Sequence, residues 1–331
     1  MATTCSSRLK LSQSNVVAQS YLPDAIADSH HHFWDLSGSI RYPWLQNEYN
    51  ASTFILGDYK PLCQNFMPDT LQACWGGLPV TSTVHVEAEC ARDQALQETA
   101  WLSEIARSKA LPNAIIGYVD LLAPDCGAQL DAHMRHPQFR GVRFKPVTSR
   151  QSTESVRNIP GSLQDPRWDV GLQELTQRNL IWDLRVPYWH LLEAADVLNR
   201  HPHTKVVIEH AGLPWDRSAH GLQQWRVGMQ ALADLPNGVM VKLSELGLRG
   251  EPWRIEDNRI IVRDLVAMFG PSRCMFGSNF PVASLRISYA DLVTSMANIL
   301  SPFSGTARQA IWHDTTVKFY SIDLKEGNRR D

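Results

Sequence analysis

The chain has 331 residues, 44% apolar and 20% charged, which supplies a large hydrophobic core and excludes a chain that is disordered throughout. With 32 Lys and Arg against 34 Asp and Glu, the formal net charge is −2. No global field then draws in a polyanion or an anionic membrane, so nucleic-acid binding falls away. No apolar run approaches the roughly 18 to 20 residues that span a bilayer.

In chain order, residues 1–24 are rich in Ser and Gln, carry Arg8 and Lys10, and have no acid before Asp24. They read as a disordered arm, with an organellar transit segment as the weaker alternative to a cytoplasmic location. The six cysteines (Cys5, Cys63, Cys74, Cys90, Cys126 and Cys274) are scattered, without a C-x-x-C pair, and read as reduced intracellular thiols. Eight β-rich runs follow the arm, at residues 26–33, 80–89, 114–122, 140–146, 180–187, 205–212, 238–244 and 273–282. Amphipathic stretches such as Asp93–Lys109, Asp169–Arg178, Trp189–Arg200 and Asn258–Phe269 lie between them. Strand then helix, repeated eight times, predicts a single-domain α/β fold, a (β/α)8 TIM barrel over residues 25–320, followed by a charged tail at 321–331. A doubly wound sheet would need a glycine-rich loop after its first strand, where this sequence has HHHFWD. Two long segments break the rhythm: 36–67, expected to cap the barrel mouth with Trp44, Tyr49 and Tyr59, and 147–166, expected as a rim loop.

In such a barrel, chemistry sits at the C-terminal ends of the strands. Those ends carry His30, His31 and His32; His85, Glu87 and Glu89; Arg143 and Lys145; Asp183 and Arg185; Glu209 and His210; Lys242, Ser244 and Glu245; and Ser278 and Asn279. Side chains alternate across a strand, so His30 shares a face with His32, and His85 with Glu87 and Glu89. Apolar Val86, Phe144 and Leu184 then turn the polar set inward, whereas parity does not choose between Glu209 and His210. Two imidazoles at i, i+2 suit either a borderline cation or a developing oxyanion. Arg143, Lys145 and Arg185 either pair with Glu87, Glu89 and Asp183 or clamp an anionic substrate. His85 and Ser244 divide evenly between site and scaffold, Lys242 reads as a buried ion-pair member, and Trp34, Trp44 and Trp215 either wall a pocket or fill core.

D-S-H-H-H-F-W-D, V-H-V-E-A, G-V-R-F, V-V-I-E-H-A-G-L-P, V-K-L-S and M-F-G-S-N-F-P-V, in this order on consecutive strands, resemble the amidohydrolase-2 family. Within it they are most similar to a lactonase-like branch acting on sugar lactones and 2-pyrone-4,6-dicarboxylate. The resemblance covers about residues 25–320 and implies hydrolysis of a small cyclic ester bearing carboxylate or hydroxyl groups. It assigns His30 and His32 to the family's H-x-H pair, His210 to its strand-6 histidine, and Arg143 to substrate binding. It implies either a metal-free site or one divalent ion, such as Zn2+, on His30, His32 and His210.

One departure stands out. Where many relatives end strand 8 in a proton-accepting aspartate, this chain has Asn279, and Ala283 replaces a further acid of related sequences. An amide cannot take a proton from water at neutral pH. Glu87, Asp183 and Glu245 are the candidate replacements, Glu245 standing where relatives usually have glycine. A zinc-bound water would lessen the need for a base. A dinuclear site is disfavoured, because Lys145 matches its bridging lysine but strand 5 lacks the histidine and strand 8 the aspartate. The expected reaction is lactone hydrolysis on a small anionic substrate held by Arg143, Lys145 and Arg185, with His85, Asp183, Ser244 and Trp34 as further binding residues. The alternatives are a decarboxylase or hydro-lyase on the same barrel and a non-catalytic ligand-binding barrel; oligomeric state, a homo-oligomer included, stays open.

Overall fold

The computed structural model describes residues 21–323. Most of the expected arm and tail therefore lies outside the described residues. Eight parallel strands form in the expected order: β1 Ile26–His31, β2 Val80–Val86, β3 Ala114–Gly117, β4 Phe139–Val142, β5 Ile181–Leu184, β6 Lys205–Ile208, β7 Met240–Leu243 and β8 Cys274–Phe276. Each pairs with the next in parallel register. A helix follows every strand: α1 Pro68–Cys74, α2 Ala95–Lys109, α3 Cys126–His133, α4 Arg167–Gln177, α5 Leu191–Arg200, α6 Ala219–Ala233, α7 Ile255–Phe269 and α8 Tyr289–Leu300. This is a TIM barrel.

Local chemistry sets several boundaries. Ser218 and Ser288 cap α6 and α8, their hydroxyl oxygens accepting from Gly221 N and Asp291 N at 3.1 Å. In α5, Leu191, Ala194, Ala195 and Leu198 bury one stripe at helical spacing. A Cβ at Gly141 would collide with the Ile181 carbonyl, so only glycine lets β4 and β5 approach as they do.

Val84, Val86, Ala114, Ile116, Ile181, Val207 and Met275 come from five strands yet form one buried apolar cluster, which therefore fills the barrel interior. Ile115, Val142, Trp182, Leu184, Ile208 and Phe276 belong instead to the larger core with the helices. Because Val84 and Val86 point inward, His85 points outward, contrary to the expected inward face of strand 2.

The strands are shorter than the β-rich runs. Each leaves its ladder near the point where apolar residues give way to polar ones, so the mouth is built from residues just past the strand ends. Closure between β8 and β1 is made by the chain after β8: His32 N donates to Phe280 O at 2.8 Å, and Asn279 N to His30 O at 2.7 Å. Segment 36–67 contains only a one-turn helix, Pro43–Gln46, and a short 3-10 turn, Lys60–Leu62. Segment 147–166 has neither helix nor strand and is fastened by Val147 N donating to Gly161 O at 2.8 Å. Among the described residues no helix is long and apolar enough to cross a membrane.

Candidate active site

Past the strand ends several non-glycine residues have left-handed backbones, among them the polar Glu89 (φ 56°), His210 (φ 53°), Glu245 (φ 41°) and Asn279 (φ 54°). Such conformations cost side-chain-bearing residues on the order of 1 kcal/mol or more each, and here they turn the chain sharply at the mouth. Position 245 is a natural glycine site by its backbone, yet it carries a carboxylate.

These turns help to frame a cavity of about 530 Å³. At one end sit His32, His210 and Asn279. His32 Nδ1 donates to Val86 O at 2.8 Å, which leaves a lone pair on Nε2. That nitrogen lies 3.3 Å from His30 Nε2 and 3.2 Å from Asn279 Oδ1. Lys242, fully buried, places Nζ 3.2 Å from His30 Nδ1 and 2.5 Å from Asp183 Oδ2. An ammonium only donates, so His30 carries its ring proton on Nε2. His210 Nδ1 meets Ser244 Oγ at 2.9 Å. Burial holds all three rings neutral: His30, with Lys242 beside it, and His210, with Arg185 beside it, fall well below the ordinary histidine value, and His32, near Arg143, falls to about 4.

The opposite wall is cationic. Arg143 Nε donates to Glu87 Oε1 at 2.8 Å, and its Nη1 lies 3.5 Å from Glu209 Oε2. Arg92 reaches the other Glu87 oxygen at 3.0 Å. Burial alone would raise Glu87, but the two guanidiniums hold its carboxyl below the usual range, which makes it a poor proton acceptor. Lys145 pairs with Glu89. Arg185 lines the cavity and, among the described residues, makes no ion pair.

The cap closes the cavity with Glu48, Asn50, Thr53, Phe54, Ile55, Tyr59 and Trp44. Trp44 and Phe54 stack at 5.7 Å and 11°. Trp44 Nε1 donates to Ala88 O at 2.9 Å, and Tyr59 OH to Trp44 O at 2.9 Å, tying the cap to the end of β2. Tyr49 leans on Tyr59 from outside.

Several expected binding residues stand elsewhere. His85 packs on Phe33 and His31 and accepts from Phe33 N at 3.1 Å, behind the cavity wall. Asp183 is inward but deep: Lys242 and, at 3.2 Å, Tyr320 OH both donate to its Oδ2, its Oδ1 is buried without a partner, and it does not line the cavity. Trp34 is buried, donates to Gln64 O and meets Trp44 edge-on at 5.6 Å, so Trp44 rather than Trp34 faces the cavity. Ser244 touches His210 and does not line the cavity. Glu87 lies behind Arg143. Glu245 is buried beside Asn279, whose Nδ2 donates to it. Trp215 packs against Trp189 and does not line the cavity.

The residue that sequence reasoning underweights is Glu209. It continues the inward alternation from Val207, while the left-handed turn at the next residue swings His210 to the same side, so both reach the site. Ligand atoms of His30, Glu209 and His210 lie within 4.8 Å of one another. This compact group has Glu209 where the expected triad has His32. Glu209 Oε1 is buried without a hydrogen-bond partner, and the histidines are in the neutral form that metals bind. Two nitrogens and one carboxylate fit a single zinc-type ion with an open position.

Residues 27–322 match the amidohydrolase family. An uncharacterised protein of Sinorhizobium fredii, y4mH, is 33% identical over 90% of this chain and 99% of its own. An L-fucono-1,5-lactonase of Burkholderia multivorans is 30% identical over 89% of this chain and 95% of its own. A crystal structure of an amidohydrolase from Burkholderia multivorans with bound zinc superposes with a TM-score of 0.73 at 28% identity, covering 90% of this chain and 100% of the other.

Proposed function

The chain belongs to the amidohydrolase family, and from that membership we propose that it hydrolyses a small lactone carrying carboxylate or hydroxyl groups. One observation carries the reading: His32 and His210 line one end of a cavity, with His30 packed against them, and the other wall offers Arg185, which makes no ion pair among the described residues. The cavity suits a ring of sugar size. Relatives named L-fucono-1,5-lactonase, 30% and 27% identical over most of this chain, support the same chemistry.

Arg185 receives the substrate's anionic or hydroxyl group, with Lys145 beside it. The Trp44–Phe54 face excludes bulk water and strengthens every polar contact inside. His210, steadied by Ser244, faces the carbonyl end, where a developing oxyanion needs donors, and His30, fixed as a donor at Nε2 by Lys242, backs it from against His32. Alternatively His30, Glu209 and His210 would hold a divalent ion, His30 through the Nδ1 lone pair that otherwise accepts from Lys242, and such an ion would polarise the carbonyl and lower the pKa of the attacking water. Asn279 takes no proton.

The test is a panel of sugar lactones and dicarboxylate pyrones in water enriched in oxygen-18. Ring opening with one labelled oxygen in the new carboxylate is the expected result. Release of CO2, or loss of water from a hydroxy acid, with every lactone untouched would overturn it in favour of a lyase. Ligand binding without any turnover would overturn it in favour of a binding barrel.

A further inference from the structure

We propose that Glu245 is a positioning residue, which holds the Asn279 amide so that Oδ1 faces the cavity and accepts a hydrogen bond from the attacking water. The inference rests on the hydrolase reading and adds to it a role for the residue that replaces the usual strand-8 acid.

The argument is one of hydrogen-bond parity. Asn279 Oδ1 lies 3.2 Å from His32 Nε2. That nitrogen is an acceptor by geometry: Lys242 on His30 Nδ1 puts the His30 proton on Nε2, which points at His32 Nε2 from 3.3 Å, while the His32 ring gives its own proton from Nδ1 to Val86 O at 2.8 Å. An acceptor thus faces an acceptor, and Oδ1 has no donor among the described residues. Left free, the amide would turn over and give Nδ2 to His32. Glu245 prevents this in its ionised form, in which it only accepts and already takes the Nδ2 hydrogen; burial lifts its carboxyl to about 7, and the hydrogen bonds from Asn279 and Gly247 oppose that rise. Turning the amide would set Oδ1 against a carboxylate in a buried site, which is worse. The unsatisfied Oδ1 is therefore maintained, on a cavity-lining residue, where a water can donate to it. Glu245 holds this position from a left-handed backbone of φ 41° that glycine would occupy without strain.

Glu245→Gly and Glu245→Gln separate positioning from scaffolding. For the lactone that the wild type opens, kcat falls about 10²-fold in both, with KM changed less than about threefold, because the water is misplaced rather than the substrate. Thermal stability of Glu245→Gly stays level or rises, since the strain is gone. Combining Glu245→Gln with Asn279→Asp restores much of kcat relative to Glu245→Gln alone: the amide at 245 donates to one oxygen of the new carboxylate, and the other oxygen faces the cavity. Unchanged kcat in both single variants, or losses that simply track stability with no recovery in the double variant, would overturn the proposal. A second readout needs no substrate. The Asn279 side-chain amide protons should exchange slowly with solvent in the wild type and markedly faster in Glu245→Gln. Equal exchange would overturn the proposal even if no lactone in the panel is opened, whereas slow exchange with no lactonase activity would count against the hydrolase reading alone.

Discussion

The cavity's two walls handle charge in opposite ways. Past β2, β4 and β5, Glu87, Arg143, Arg92, Glu89 and Lys145 stay ionised by pairing, and only Arg185 is left over. Past β1 and β6, burial removes charge instead, leaving neutral imidazoles and pushing Glu209 up to about 7. Paired charge gives rigidity and one defined anchor; suppressed charge gives groups free to bind an ion or donate to an oxyanion. On the lactonase reading proposed above, recognition and chemistry fall on separate walls.

The paired wall breaks most severely at Arg143. Arg143→Ala leaves Glu87 and Glu209 buried without their main partner, and denaturant titration should show a loss of about 3–5 kcal/mol. Glu98 on α2 extends the principle of burial-suppressed charge to the scaffold. It is buried, accepts from Ala88 N at 3.3 Å, and burial lifts its carboxyl from 4.5 to about 8. With a folded pKa above the unfolded one, its contribution is complete below about pH 4.5 and is lost as pH rises through about 8. Glu98→Gln should therefore flatten the decline in stability between pH 5 and 8.5 by on the order of 2–4 kcal/mol, read from urea midpoints. On the neutral wall, His30→Ala and His210→Ala should each lower kcat by at least about 10²-fold; unchanged turnover in both would remove that wall from the chemistry. Arg185→Ala should act mainly on KM, raising it about tenfold for anionic substrates and little for neutral ones, with stability nearly unchanged. A large stability loss there would show that Arg185 is bound into the scaffold as firmly as Arg143.

The barrel is legible because its signals are periodic and local: eight apolar runs, amphipathic helices at the expected stretches, and polar residues at the run ends. The family motifs place His30, His32, His210, Arg143 and Asn279 at one mouth. Parity fails where the backbone stops alternating. Alternation from Glu87 puts His85 inward, but Val84 and Val86 occupy the interior face. Glu209 and His210 both enter the site because the φ of 53° at His210 breaks alternation between them. Which cation is left unpaired is a three-dimensional result: Arg143, Lys145 and Arg185 look alike in sequence, and only the positions of Glu87, Glu89 and Glu209 distinguish them. The cap is recognisable as a segment, but the exchange of Trp34 for Trp44 at its inner surface depends on packing that no spacing encodes.

The seam where the chain after β8 meets β1 has a consequence in time. His30 and His32 emerge near the start of synthesis, and Asn279 near its end, yet Asn279 N bonds His30 O and Phe280 O receives His32 N. No shorter nascent chain can assemble the histidine end of the cavity, so the last turn of the barrel to be translated is also the one that completes the site. A chain interrupted before residue 279 would hold Arg143, Arg185 and the histidines of the mouth but lack the two backbone bonds that join them to the end of β8.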